Sequence, residues 1–379
     1  MSMRPILSRP RVLTLWLVGC TAVAGPARAQ TPAEAGQWSS VMAWPLSATH
    51  TSLLPTGRVM FFGEFGQGDD PPGLWDPATG GLSRLPIPGY NIFCAGHSFL
   101  ADGRLLITGG HIESHVGLED ASLWDPFTSR WTRLPDMNAG RWYPTNVTLA
   151  NGDVMVISGE TVGTGIMNEL PQRYLAATGT WRDMTTARLK LPYYPRMFLA
   201  PNGRLFLAGP QRLSRFMDPG GTGAWLSGPW SNYGTRSYGP AVYLDGRVLL
   251  IGGGDPPTAT TEMIDLNVAS PVWRYVAPMS TARRQHNATL LPDGTVLVTG
   301  GSRGSGFDNR SAPVFHAEVY DPVTNRWTRL ASNTIYRGYH ATAVLLPDGR
   351  VLSAGGRNAN SAELFSPPYL FKGARPVVS

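Results

Sequence analysis

The chain has almost no cysteine. It carries two in 379 residues, Cys20 and Cys94, which excludes a disulfide framework as the source of its stability. Charge is sparse as well, since Asp, Glu, Lys and Arg make up 15% of the residues, too few for a charged disordered tail or a long solvated helix. No stretch after the N-terminus approaches the roughly 18 continuous apolar residues of a spanning helix, so no transmembrane span is expected. Excess positive charge is also slight. The formal charge of +6 includes Arg4, Arg9, Arg11 and Arg28, and without those four it falls to +2, which leaves no electrostatic footprint for nucleic acid.

The first residues, MSMRPILSRPRVLTLWLVGCTAVAGPARAQ, place arginines before an apolar stretch from Val12 to Gly25 and end on Ala27-Arg28-Ala29 ahead of Gln30. This is the pattern of a signal peptide over residues 1–29, and it predicts a secreted or periplasmic protein. Leu17-Val18-Gly19-Cys20 also fits a bacterial lipobox, in which Cys20 carries a lipid anchor. Whether removed or acylated, Cys20 leaves Cys94 as the only free thiol of the mature chain. A lone cysteine is ordinarily a small buried hydrophobe. In an exported chain it also raises the question of what consumes the thiol.

What the sequence does have is glycine (44), proline (33) and tryptophan (12), a composition that suits a turn-rich all-β fold. One pattern recurs seven times: an apolar run, a Gly-containing turn, a second apolar run and a pair of small residues, as in HSFLADGRLLITGGH, NATLLPDGTVLVTGGS and ATAVLLPDGRVLSAGG. The Asp-Gly or Asn-Gly pairs read as tight two-residue hairpin turns between strands. Most copies precede a weaker pair of strands such as AEVYDPVTNRWTRLA, whose Trp is placed to pack between neighbouring sheets. The period of about fifty residues is that of a kelch repeat, one propeller blade. The expected fold is therefore an all-β, seven-bladed kelch-type β-propeller over residues 37–370. The last repeat lacks an obvious fourth strand, and GQWSSVMAWP near the N-terminus resembles one, so the N-terminal segment is expected to close the last blade. Residues 371–379 read as the start of a truncated C-terminal β-domain.

Candidate chemistry follows from position. Nine residues before the turn glycines Gly103, Gly152 and Gly349 lie Cys94, Tyr143 and His340, and an equal offset in repeated blades implies similar height and distance from the axis. Tyr339 precedes His340, so a thiol, two phenols and an imidazole converge on one mouth. Imidazole with phenolate oxygen suits Cu(II), whereas one cysteine at long-range spacing does not build a zinc site. The same residues would also serve simply to hydrogen-bond neighbouring loops, and position alone leaves both readings open.

At FCAGHS, GRWYPT and RGYHATAVLLPDGRV, followed by FSPPYLF, the chain resembles the galactose oxidase and glyoxal oxidase family of copper radical oxidases. The resemblance implies a thioether between Cys94 and Tyr143 that holds a radical, copper ligation by Tyr143, Tyr339 and His340, and Tyr339 as acceptor of the substrate hydroxyl proton. It implies oxidation of a primary alcohol or aldehyde, a carbohydrate included, with dioxygen reduced to hydrogen peroxide, by a monomeric enzyme. The family takes a further histidine ligand from a C-terminal Ig-like domain, and this chain reads as ending before one forms. His286 and His97 read as structural histidines near the mouth, and His50, His111, His115 and His316 have weaker claims on the metal. Thr161 stands where galactose oxidase has a tryptophan over the cross-linked pair, so Trp142 is either core or a support for Tyr143. Lys190, Tyr193, Tyr194 and Arg196 are candidate substrate contacts. The competing expectations are a non-catalytic kelch propeller that binds a glycan or protein, and an envelope protein anchored through Cys20.

Overall fold

The computed structural model describes Met1 and residues 30–63 and 71–373. The N-terminal segment with Cys20 and the chain after Gly373 lie outside the described residues. Seven antiparallel sheets follow one another along the chain, six of them four-stranded and paired in sequence order from inner to outer strand. The first comprises His50–Leu53, Val59–Phe62, Gly73–Trp75 and Leu82–Arg84. The seventh has three strands from its own repeat, Ala341–Leu345, Val351–Gly355 and Ser361–Ser366, and its outer edge is covered by Gln37–Trp38 and Met42–Ala43. The N-terminal segment thus closes the last blade, and pairing with a distant part of the chain removes the open edge of the ring.

Seven apolar clusters hold the blades together, each drawn mainly from two neighbouring sheets. The one across the closure joins Trp44, Phe61 and Trp75 to Leu346, Leu352 and Leu364, and each such buried side chain contributes roughly 1.5–3 kcal/mol. The outer-strand tryptophans also tie blade to blade through a polar contact. Trp131, Trp181, Trp225, Trp327 and Trp38 each donate the indole N–H to a backbone carbonyl near the end of the preceding blade, at Pro86, Pro135, Ala187, Ala277 and Ala331.

The inner hairpin turns differ from the sequence expectation. Only the fifth blade has the two-residue turn, with Asp245 (φ 49°) and Gly246 (φ 74°) both left-handed. In the other six the turn glycine donates to the residue three before it, as Gly103 does to Leu100 and Gly349 to Leu346. The extra residue in these loops, often Pro, sits where a type I turn prefers it, and the Asp or Asn accepts the N–H two residues on, as Asp348 does from Arg350 at 3.0 Å. Only glycine then needs positive φ.

The small pairs after the second strands are explained by close approach of the next blade. A Cβ on Gly109 would lie 2.2 Å from the carbonyl oxygen of Arg141, and one on Gly300 would lie 2.2 Å from that of Arg337. Those arginines belong to a repeated brace. Arg141, Arg236, Arg283 and Arg337 are buried and donate to the carbonyls of Ser158, Gly252, Gly300 and Gly355. Three also meet a buried carboxylate, Arg236 with Glu262 at 2.7 Å, Arg283 with Glu318 at 2.5 Å and Arg337 with Glu363 at 3.3 Å. The third blade has Gln172 in the place of the glutamate, and Arg141 uses Asn138 and the Leu170 carbonyl instead. Burial without a paired carboxylate at that position pushes the Arg141 guanidinium down to about 9.

Candidate active site at the propeller mouth

Each brace arginine is followed two or three residues later by a residue in left-handed backbone conformation. After the four brace arginines these are Tyr143 (φ 65°), Tyr238 (55°), Gln285 (56°) and His340 (63°), and Cys94 (60°) and Tyr194 (41°) hold the same place in blades without the arginine. Non-glycine side chains in this region cost about 1–2 kcal/mol each, and the ring is held by backbone bonds between successive members. Tyr143 N–H donates to the Cys94 carbonyl at 2.9 Å, Tyr194 N–H to Tyr143 at 3.0 Å, and Gln285 N–H to Tyr238 at 2.7 Å. The offset of nine residues read from the sequence marks this ring, and it also points to Tyr194 and Gln285, nine before Gly203 and Gly294. The left-handed turn lets each side chain face the mouth just as the chain enters the inner strand.

The four sequence-predicted residues come together. Tyr143 Oη lies 2.7 Å from Tyr339 Oη and 3.2 Å from His340 Nε2. The Tyr339 and His340 rings stack with centroids 3.8 Å apart. Cys94 is fully buried and packs with Phe93, Trp142 and Tyr143 in one cluster. Its backbone N–H donates to His50 Nε2 at 3.1 Å, which makes that imidazole an acceptor and so neutral. Burial, with His97 and His340 nearby, pushes the His50 pKa well down, and burial holds His97 at about 4.

Burial and the adjoining Cys94 and Tyr339 side chains drive the Tyr143 phenol far above its ordinary range. A phenolate there needs a compensating cation. Among the described residues no three His, Cys, Asp or Glu side chains form a metal cluster, so the donor set is one of phenols and an imidazole. The set fits Cu(II) in kind. The 2.7 and 3.2 Å separations from Tyr143 Oη to Tyr339 Oη and His340 Nε2 would let one ion be held by all three.

Above these groups opens a cavity of about 790 Å³. Trp142, Tyr193, Tyr194, Tyr238 and Phe307 give it aromatic walls, with Arg196, Gln285 and His286 on the polar side. Of the candidate substrate contacts, Tyr193, Tyr194 and Arg196 line the cavity, and exposed Lys190 does not. His97 and His286 both reach it. His97 Nδ1 is bonded to Ser52 Oγ at 3.1 Å. His316 lies away from the cavity, against Thr281 and Glu318.

Trp142 is where sequence reasoning left the matter open. Its ring stacks on Tyr143 with centroids 4.1 Å apart and planes 13° apart, while Thr161 bonds its own loop at the Ile166 carbonyl. The cover over the tyrosine thus comes from the adjacent residue in the chain. Adjacent residues of extended backbone point to opposite faces, and the left-handed Tyr143 breaks that alternation. The buried Arg brace was also missed, although GRW, TRS, ARR and YRG recur at one place in their repeats, because arginine reads as a surface residue by default.

Residues 243–370 match the family model described as glyoxal oxidase N-terminus. Galactose oxidase of Gibberella zeae is 28% identical over 383 residues, covering 89% of this chain and 55% of that protein. Aldehyde oxidase GLOX of Vitis pseudoreticulata is 28% identical over 330 residues, covering 76% of this chain and 62% of that protein. Among solved structures, one described as a novel fungal alcohol oxidase with catalytic diversity among the AA5 family, in complex with copper, superposes with a TM-score of 0.79 at 24% identity, over 90% of this chain and 78% of that one. That superposition carries the propeller fold. The chain spans about half the length of galactose oxidase. Among the described residues no helix is long and apolar enough to cross a membrane. Along its propeller this chain is thus similar to galactose oxidase and to the aldehyde oxidase GLOX, and its last third matches the glyoxal oxidase N-terminus model.

Proposed function

We propose that the protein is an exported copper radical oxidase, or its propeller portion, that oxidises a primary alcohol or aldehyde and reduces dioxygen to hydrogen peroxide. The observation that carries this reading is the convergence of the Tyr339 and His340 donors to within 3.2 Å of Tyr143 Oη, beside a buried thiol. Tyr143, Tyr339 and His340 would hold the metal. Bound copper supplies Lewis-acid polarisation and one of the two electron vacancies the oxidation needs.

The chain's own residues supply the rest. Cys94 and Tyr143 are joined by a C–S bond formed with loss of the thiol hydrogen and one ring hydrogen, and their two electrons pass to dioxygen to give hydrogen peroxide. Tyr339, at hydrogen-bond distance from Tyr143, takes the substrate hydroxyl proton. The oxidised Tyr143 ring takes the hydrogen atom from the substrate carbon. Trp142 excludes water from one face of that ring, and the aromatic walls orient a small apolar or sugar-like substrate. In stoichiometry, R–CH2OH and O2 become R–CHO and H2O2.

The test is peroxide formation by copper-loaded protein across small alcohols, aldehyde hydrates and sugars, with Tyr339→Phe alongside. Peroxide dependent on copper and strongly reduced by Tyr339→Phe supports the reading. Peroxide-free protein that instead binds glycans regardless of copper favours the non-catalytic propeller.

A further inference from the structure

The second blade carries a small hairpin, His111–Glu113 with Val116–Gly117, between its second and third strands. It is laced to the mouth by bridges from Val116 to Val162 and from Leu118 to Arg141. Its two histidines both address Trp142. His111 Nδ1 accepts the indole N–H at 2.8 Å and is 3% exposed. Burial holds its pKa at about 4, so near neutral pH it is an uncharged acceptor. The His115 ring lies 4.9 Å from Trp142 at 59°. His115 Nδ1 is fixed by Glu160 Oε2 at 2.7 Å and lies 3.2 Å from Tyr193 Oη. Tyr193 in turn meets Trp142 and Tyr143 edge-on, at 5.5 and 5.3 Å.

Nothing in the proposed chemistry requires these groups, yet together they leave the indole one orientation. A single bond to the backbone gives a tryptophan several rotamers. The hydrogen bond to His111, the imidazole of His115 and the edge of Tyr193 leave the one that lies flat on Tyr143. A parallel electron-rich ring at 4.1 Å shares charge with an oxidised phenol and keeps water from it. We infer that His111 and the His115–Glu160 pair are positioning residues that lock Trp142 onto Tyr143 and so set how long the oxidised tyrosine lasts. This rests on the oxidase reading given above.

The experiment uses the full chain loaded with copper and oxidised by ferricyanide, which takes one electron from the Tyr143 phenolate. The parent, His111→Leu, His111→Asn and Glu160→Gln are compared by the lifetime of the tyrosyl radical, read from its optical absorption and from the return of the Cu(II) EPR signal that coupling to the radical suppresses, with copper content measured in parallel. Near-ultraviolet circular dichroism of the metal-free proteins reports the stack itself, as the part of the parent spectrum lost in Trp142→Phe. Losing a buried hydrogen bond predicts that the radical of His111→Leu decays about tenfold faster at unchanged copper content. His111→Asn, which keeps an acceptor near the position of Nδ1, restores the parent lifetime. Glu160→Gln shifts it in the same direction as His111→Leu, and stands as the test should that variant not fold. A radical in His111→Leu or Glu160→Gln as long-lived as the parent's overturns the inference, whether or not the dichroism shows the stack lost. Failure of the parent to form any radical sinks the oxidase reading and the inference with it, and is told apart because the parent itself is then silent.

Discussion

Removing Glu363 should unfold the seventh blade's brace and with it the platform for Tyr339 and His340. Its carboxylate lies 3.3 Å from Arg337 Nη2, with both side chains essentially fully buried. At that distance two unit charges interact by about 5 kcal/mol at an effective dielectric of about 20. The same carboxylate accepts the N–H and hydroxyl of Thr334 at 3.1 and 2.9 Å. Glu363→Ala removes all of these and strands a buried guanidinium that keeps only the carbonyls of Gly355 and Ser361. Breaking a buried pair in this way costs about 3–5 kcal/mol. Glu363→Gln retains the Thr334 contacts and reproduces the arrangement that Gln172 makes in the third blade, so it should cost about 1–3 kcal/mol. Because Arg337 lies two residues before Tyr339, both variants should also weaken copper binding, Ala more than Gln. Urea unfolding of the metal-free proteins gives the stability change and copper titration the second effect. An unfolding free energy for Glu363→Ala within about 1 kcal/mol of the parent would refute the claim that these pairs hold the mouth.

Other perturbations test other parts of the account. Gly300→Ala drives a Cβ to 2.2 Å from the Arg337 carbonyl at a φ of +70°, and should cost about 2 kcal/mol or more by urea unfolding. His97 is held at about 4 by burial, below the roughly 6.5 of an unfolded histidine. The unfolded state therefore binds the proton first, and the stability present above about pH 6.5 is lost as pH falls toward 4. His97→Asn should flatten that decline, measured as the urea midpoint against pH. Glu318 acts at lower pH. Burial opposes its ionisation, but His316 and Arg283 hold it at about 2, so its contribution is present above about pH 4.5 and disappears as pH falls toward 2. Glu318→Gln should remove that acid step. Trp142→Phe should leave copper content unchanged and shorten the radical lifetime, read from the radical's optical absorption.

The ring of blades was legible because each inner hairpin carries its own apolar alternation and turn glycine, and because GQWSSVMAWP matches outer strands that otherwise lacked a partner. The site was legible for a related reason. The residue nine before each turn glycine is fixed in height by the length of the inner strand, so Cys94, Tyr143 and His340 could be aligned without knowing their contacts. What the sequence hid depends on local backbone. The turn type was misread in six blades because the residue before Asp or Asn, rather than the Asp-Gly pair, decides the loop. Trp142 could not be placed because its position depends on the left-handed φ of Tyr143. The hairpin that addresses it is a local elaboration of one blade, with no counterpart in the other repeats among the described residues to align it against.

The central claim is that Cys94 is consumed in a bond to Tyr143. The direct measurement is peptide mass spectrometry on protein incubated aerobically with Cu(II). The account predicts that the peptides bearing Cys94 and Tyr143 run as one species, lighter by two hydrogens than their sum, and that Cys94→Ser abolishes it. Separate peptides with a free thiol at Cys94, from copper-bound protein, would contradict it.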